Sequence, residues 1–177
     1  MPELLITIIR LQCANAVVIV KLLVFYLGMS RVRSNSAWDM QQIDEFLRTT
    51  DIPIRLACSD KEGVPLICSL WYIHADDALW CATQQSAAFV GLLERAPHCA
   101  FEIAPESMPY RGVRGQGRAT VLPGEGPAIL QQLIDRYLGA RDTQFAAWLL
   151  SRAANEVAIK IEPDWLTSWD FGSRMRA

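Results

Sequence analysis

Between Ile52 and Ile103 four short apolar runs follow one another, and only one of the gaps is long enough for a helix. Ile52–Cys58 (IPIRLAC) and Val64–His74 (VPLICSLWYIH) are separated by the polar stretch Ser59-Asp60-Lys61-Glu62-Gly63. That pattern predicts a hairpin with a four- or five-residue loop. Ala75-Asp76-Asp77 turns the chain again into a third strand, Ala78–Thr83 (ALWCAT). Gln84–Arg95 then has Phe89, Leu92 and Leu93 on one helical face, and Pro97 stops it before a fourth strand, Cys99–Ile103. Strands that do not alternate strictly with helices argue against a doubly wound parallel sheet. They argue for a small, mainly β barrel with flanking helices, an α+β fold.

The flanking segments complete that picture. Asp39–Arg48 (DMQQIDEFLR) spaces Met40, Ile43, Phe46 and Leu47 as an amphipathic helix, with Ser36 or Asp39 as its cap. Arg111–Leu122 (RGVRGQGRATVL) is a Gly-rich strand pair or one long bent strand. Ala128–Leu138 is amphipathic, with Ile129, Leu133, Ile134 and Tyr137 inward, and Phe145–Ser151 adds a turn or two of helix. Val157–Ile161 (VAIKI) reads as a half-buried strand, and the tail after it carries Trp165, Trp169 and Phe171.

The front of the chain is different in kind. Leu4–Gly28 is almost wholly apolar, near the roughly 20 residues that cross a bilayer. Arg10 and Lys21 interrupt it, and each charge near a bilayer centre costs about 2.5–3.5 kcal/mol. No small-x-small site follows, so it does not read as a signal peptide. Three readings stay open: a membrane anchor with Arg31 and Arg33 cytoplasmic, an apolar helix outside the barrel that packs on the body or on a partner, or a non-native prefix before an ordinary start at Met29. The 177 residues carry a net charge of −2, but residues 1–33 are basic and residues 34–177 hold 13 basic against 18 acidic groups. The expected division is therefore an extension over 1–33 and one barrel domain over 34–177. A pI near 5.7 argues against a nucleic-acid partner.

Chemistry-bearing residues are few. Cys13, Cys58, Cys68, Cys81 and Cys99 are odd in number and show no CxxC spacing, so they read as small core residues of a reducing, cytoplasmic compartment. His74 and His98 lack the partners a metal site needs, and surface or capping roles are expected for both. No metal site is expected. Thr83-Gln84-Gln85-Ser86 lies at a strand-to-helix junction, where free N–H groups and the helix dipole suit an anion. Ordinary N-capping by Thr83 or Ser86 is the other reading.

Taken in order, FL, IPIRLAC-turn-G-VPLICSLWYI, ALWCATQQSAAFVGLLERAPHCAFEI and YRGVRGQGRATVL resemble the pyridoxamine 5′-phosphate oxidase-like, FMN-binding split β-barrel family. The resemblance runs from about Ile43 to Leu122, with VAIKI and TSWDFG also similar. It implies a six-stranded split barrel, a homodimer, and FMN at the dimer interface, with a deazaflavin or haem in some branches. It further implies that Ser69, Leu70 and Trp71 line the ring, that Thr83 and Ser86 hold phosphate, and that Arg111, Arg114 and Trp169 lie near the ligand. Two positions depart from the family pattern. Ala88 stands where a phosphate-binding Lys is usual, and Gly112 where the oxidases proper have a polar residue. A lost charge-assisted contact is worth about 1.5–3 kcal/mol. The implied activity is a flavin-dependent oxidoreductase acting on a small molecule of unspecified identity. The alternative is a non-catalytic ligand-binding or dimerisation barrel that has lost tight flavin binding. No residue stands out as a general base, so no catalytic residue is assigned.

Overall fold

The computed structural model describes residues 31–139 and 143–175. The apolar stretch Leu4–Gly28 and Cys13 lie outside the described residues. Val32 bridges in parallel to Leu166, so the described chain starts against the body. Asp39 opens α1 (Met40–Thr49) as a capping box: its carboxylate accepts the Gln42 N–H at 2.9 Å, and the Gln42 side chain accepts the Asp39 N–H at 3.1 Å. Ser36, the other expected cap, instead bonds Trp38 O and the Ser168 hydroxyl, each at 2.8 Å. Ile43 and Leu47, one turn apart, are the buried stripe of α1.

The strands are β1 (Ile54–Ser59), β2 (Pro65–Leu70), β3 (Ile73–Ala75), β4 (Ala78–Gln84), β5 (His98–Ile103), β6 (Arg111–Leu122) and β7 (Glu156–Asp170). They form one antiparallel sheet in the order β2-β1-β5-β6-β7-β4-β3. The six expected strands are all present. The second is divided at Trp71-Tyr72 into β2 and β3, which raises the count to seven. The division has a clear cause. Tyr72 is fully buried, its hydroxyl donates to Leu47 O at 2.9 Å, and its N–H donates to the Tyr137 hydroxyl at 3.3 Å. The backbone is thereby taken out of the β1 ladder and passed to β4. β2 and β3 are the two opposite edges of the sheet, yet only two residues join them. The edges must meet, and the sheet curls into a split barrel.

The β1–β2 turn is the expected hairpin loop. The Asp60 carboxylate accepts the N–H groups of Glu62 and Val64 at 2.9 and 2.8 Å, and Gly63 takes a φ of +82°. β6 is one long bent strand rather than a pair, with its register shift between Gln116 and Gly117. Gly117 stands opposite Pro163, which has no N–H to give the ladder. β7 continues nine residues beyond the expected end at Ile161, through Glu162-Pro163-Asp164, to Asp170.

α2 spans Ala88–Arg95, not Gln84–Arg95. Gln84 is still in β4, opposite Glu156, and the Gln85 N–H donates to Asn155 O at 2.8 Å. The helix starts from Ala87 with no side-chain cap, so the expected capping by Thr83 or Ser86 is not made. α3 (Gly126–Leu138) and α4 (Gln144–Leu150) follow β6. α3 lays Ile129 and Leu133 on Ala158, with Trp71 and Trp80 packed beside them. From α3, Arg136 donates to Leu47 O at 3.0 Å, to Arg48 O at 2.8 Å and to Thr50 O. A cation thus closes the carbonyl end of α1.

Inside the barrel Ile43, Leu47, Leu56, Leu79, Ile159 and Ile161 are at most 1% exposed. Cys58, Cys81 and Cys99 are buried there as free thiols, and Cys68 is partly buried. Burial pushes Cys68 up to about 11 and Cys99 up to about 12, so these groups stay protonated and pack as small apolar residues. His74 departs from its expected surface or capping role. It is 7% exposed, and its Nδ1 stands 3.1 Å from Asp44 Oδ1 without hydrogen-bond geometry. His98 is exposed at the start of β5, with Nε2 3.4 Å from an Arg118 nitrogen. Among the described residues no helix is long and apolar enough to cross a membrane.

Candidate functional site

The seam of the barrel sets the site. Among the described residues β2 has one ladder partner, β1, and β3 pairs with β4 only over Ala78–Trp80. The stretch Cys81–Gln84 therefore turns a strand edge toward β2 that no ladder fills. Between the end of β2 and this edge lies a cleft of about 320 Å³. Ser69, Leu70 and Trp71 form one side, Ala82, Thr83 and Gln84 the other. A strand edge at a cleft offers N–H and C=O groups that a planar polar ligand can pair with.

Helices supply the remaining walls. Trp71 stacks on Tyr137 at 4.9 Å between centroids and 7° between planes. Phe145 meets Trp71 edge-on at 6.2 Å and stacks with Trp148 at 5.9 Å. The Arg152 guanidinium lies over the Trp148 ring, 4.7 Å from its centroid. Both Phe145 and Trp148 are about half exposed (49% and 50%), so this aromatic wall faces open space. At the inner end the buried Glu156 carboxylate accepts a hydrogen bond from the Gln84 amide.

Of the residues singled out from sequence, Ser69, Leu70, Trp71 and Thr83 come together in this cleft. Ser86 is exposed in the turn that follows β4, and Ala88 is exposed at the start of α2. Arg111 lines a different cleft, of about 510 Å³, with Gln42 and Asp170. Arg114 lies on the outer sheet face beside Arg55, Ile67 and Trp165, with its guanidinium 5.3 Å from the Trp169 ring. The single chain does not bring Arg111, Arg114 or Trp169 into the seam cleft. Gly112 is explained by packing: a Cβ there would stand 2.8 Å from Trp169 and 2.7 Å from Ile103 O. Sequence reasoning missed Phe145, Trp148, Arg152 and Glu156. The first three recur at i, i+3 and i+7, a visible one-sided pattern that reads equally well as core. Glu156 carried no signal, being one acidic residue at a strand start.

No protein-family model matches the chain, and no curated protein matches its sequence. Solved structures do match. A conserved hypothetical protein from Mycobacterium tuberculosis superposes with a TM-score of 0.66 at 21% identity, covering 78% of this chain and 88% of its own. A protein named as an F420 reductase gives 0.59 at 20% identity, over 70% of this chain and 94% of its own. A haem storage protein from Vibrio cholerae gives 0.57 at 15% identity, over 73% and 92%. Other matches are named for pyridoxamine 5′-phosphate oxidase or for FAD binding. These likenesses show the fold, the split barrel of pyridoxamine 5′-phosphate oxidase-like proteins.

Proposed function

We propose, from that fold as premise, that the seam cleft holds a flavin-type cofactor and that the chain is a flavin-dependent oxidoreductase acting on a small molecule. The carrying observation is the juxtaposition of Ser69-Leu70-Trp71 with the unpaired β4 edge at Thr83-Gln84, walled by aromatic rings. The donor set fits such a group. A flat heteroaromatic ring has apolar faces, suited to Leu70 and Trp71, and a polar rim, suited to strand-edge N–H and C=O groups and the Thr83 hydroxyl. When bound, the cofactor supplies the redox chemistry, and the protein supplies binding and orientation. Here Trp71, itself held by Tyr137, fixes the ring plane, while Phe145 and Trp148 keep water from one side. FMN is the first choice and a deazaflavin the second. Among the described residues the cleft lining includes no His, Cys, Met or Tyr, the usual ligands of haem iron, which favours a flavin-type ring over haem.

A homodimer accounts for Arg114, which lies outside the cleft of its own chain. Ile67 is 66% and Val64 57% exposed beside the outer sheet face that carries Arg55 and Arg114. A second copy covering that face hides this apolar surface and carries Arg114 of one chain toward the cleft of the other. The free cysteines support a cytoplasmic location.

The absence of a lysine at Ala88 favours one other reading, a barrel that keeps the cleft but binds no flavin. The absorption spectrum of the purified protein, before and after adding FMN or a deazaflavin, separates the two. A flavin or deazaflavin band that stays with the protein through gel filtration is expected. A colourless protein that retains neither sinks the oxidoreductase reading.

A further inference from the structure

The family pattern places a phosphate-binding lysine at position 88, where this chain has an exposed Ala88 outside the cleft lining, and the seam cleft contains a cation from another part of the chain. Among the described residues lining the cleft, Arg152 is the one cation. It comes from the turn after α4, on the wall opposite β2. Its backbone N–H is used by Leu149 O at 3.1 Å, but its guanidinium has no carboxylate within ion-pair distance among the described residues. What holds it is the face of Trp148, at 4.7 Å. A guanidinium stacked on a ring keeps its N–H edge free and pointed, which suits a bidentate oxyanion better than a freely swinging chain does. Thr83, on the facing edge, adds a hydroxyl donor.

We infer that Arg152 is the anion anchor of this cleft: it binds the phosphate of a phosphorylated flavin-type ligand in place of the missing lysine at position 88. This rests on the reading of the cleft as a flavin site. The phosphate therefore lies toward the α4 wall, not at the start of α2, whose first residue Ala88 is exposed and whose cap makes no side-chain bond. Glu156 is the opposing charge. Its carboxylate is engaged by the Gln84 amide and lies at the buried inner end, which leaves the rim to the anion.

The test is a comparison of FMN with riboflavin, which differ by the phosphate alone, titrated against the full chain by flavin fluorescence. The 5-deaza analogues of both are run in parallel. Wild-type protein is expected to bind the phosphorylated form about ten- to a hundredfold more tightly. Arg152→Gln is expected to remove that preference, weakening FMN binding far more than riboflavin binding. Arg152→Lys keeps the charge and is expected to retain part of the preference, which excludes a folding defect as the cause. Wild type that binds both forms equally, or Arg152→Gln that keeps the preference, overturns the assignment of Arg152 and leaves the flavin reading standing. Wild type that binds neither form overturns both.

Discussion

At the residue scale His74 shows how position in the fold sets a side chain's chemistry. Burial works against the imidazolium, with Arg48 of α1 and Arg136 of α3 adding to it, while Asp44 and Asp77 oppose. Burial dominates, so the folded protein holds this histidine below its ordinary value of about 6.5. The sign for stability follows. As pH falls through that ordinary value, the unfolded chain takes up the proton before the folded one does, and stability falls. Urea unfolding between about pH 7 and pH 5 is expected to show this loss, and His74→Gln to show a shallower one. Equal slopes in the two proteins contradict the assignment. The sequence reading put His74 at a strand end, whereas the structure makes it the middle residue of the short strand β3 (Ile73–Ala75). Nothing in the sequence showed that α1 would cover it, because Asp44 and His74 are brought together only by the turn of chain at Tyr72. The cysteines were legible for the opposite reason: small apolar residues in strand patterns need no distant partner to be buried.

At the element scale the strands were legible from their own patterns, and their ends were not. β1, β4 and β5 lie close to their expected bounds, because period-two burial and Gly or Pro punctuation are local. β7 was read short, because Glu162-Pro163-Asp164 looks like a strand end. That stretch survives in the sheet because Gly117 sits opposite it at the β6 register shift. A Cβ on Gly117 would stand 2.3 Å from Glu162 O, so the two backbones meet only if residue 117 has no side chain. Gly117→Ala is expected to destabilise the fold by about 1–3 kcal/mol, read from urea midpoints. Gly124→Ala, where nothing lies within 4 Å, is expected to stay within about 0.5 kcal/mol of wild type. Equal effects at the two positions contradict the close-approach account. α2 was read long for a related reason: Gln84 and Gln85 are good helix residues, but their backbone is claimed by Glu156 and Asn155.

At the scale of the whole molecule, closure decides where a site exists at all. Trp71 and Tyr72 link the two edges of the sheet, and the seam this leaves between β2 and β4 is the cleft. No local pattern reports such a seam. Ser69, Leu70, Trp71 and Thr83 were reached through the order of the strands and their likeness to a family, not through any cluster of reactive residues. Arg152 and the α4 aromatics lie beyond the stretch that carries the likeness, so it could not point to them. The central claim is that the seam cleft is where a flavin-type ring binds, and Trp71 is its most direct probe. The decisive measurement is equilibrium titration of wild type and Trp71→Ala with FMN and its 5-deaza analogue, with a thermal melt to verify folding. Saturable binding to wild type, weakened several-fold in folded Trp71→Ala, is expected from the loss of one stacking face. Equal affinity in the two proteins, or no binding by wild type, contradicts the account.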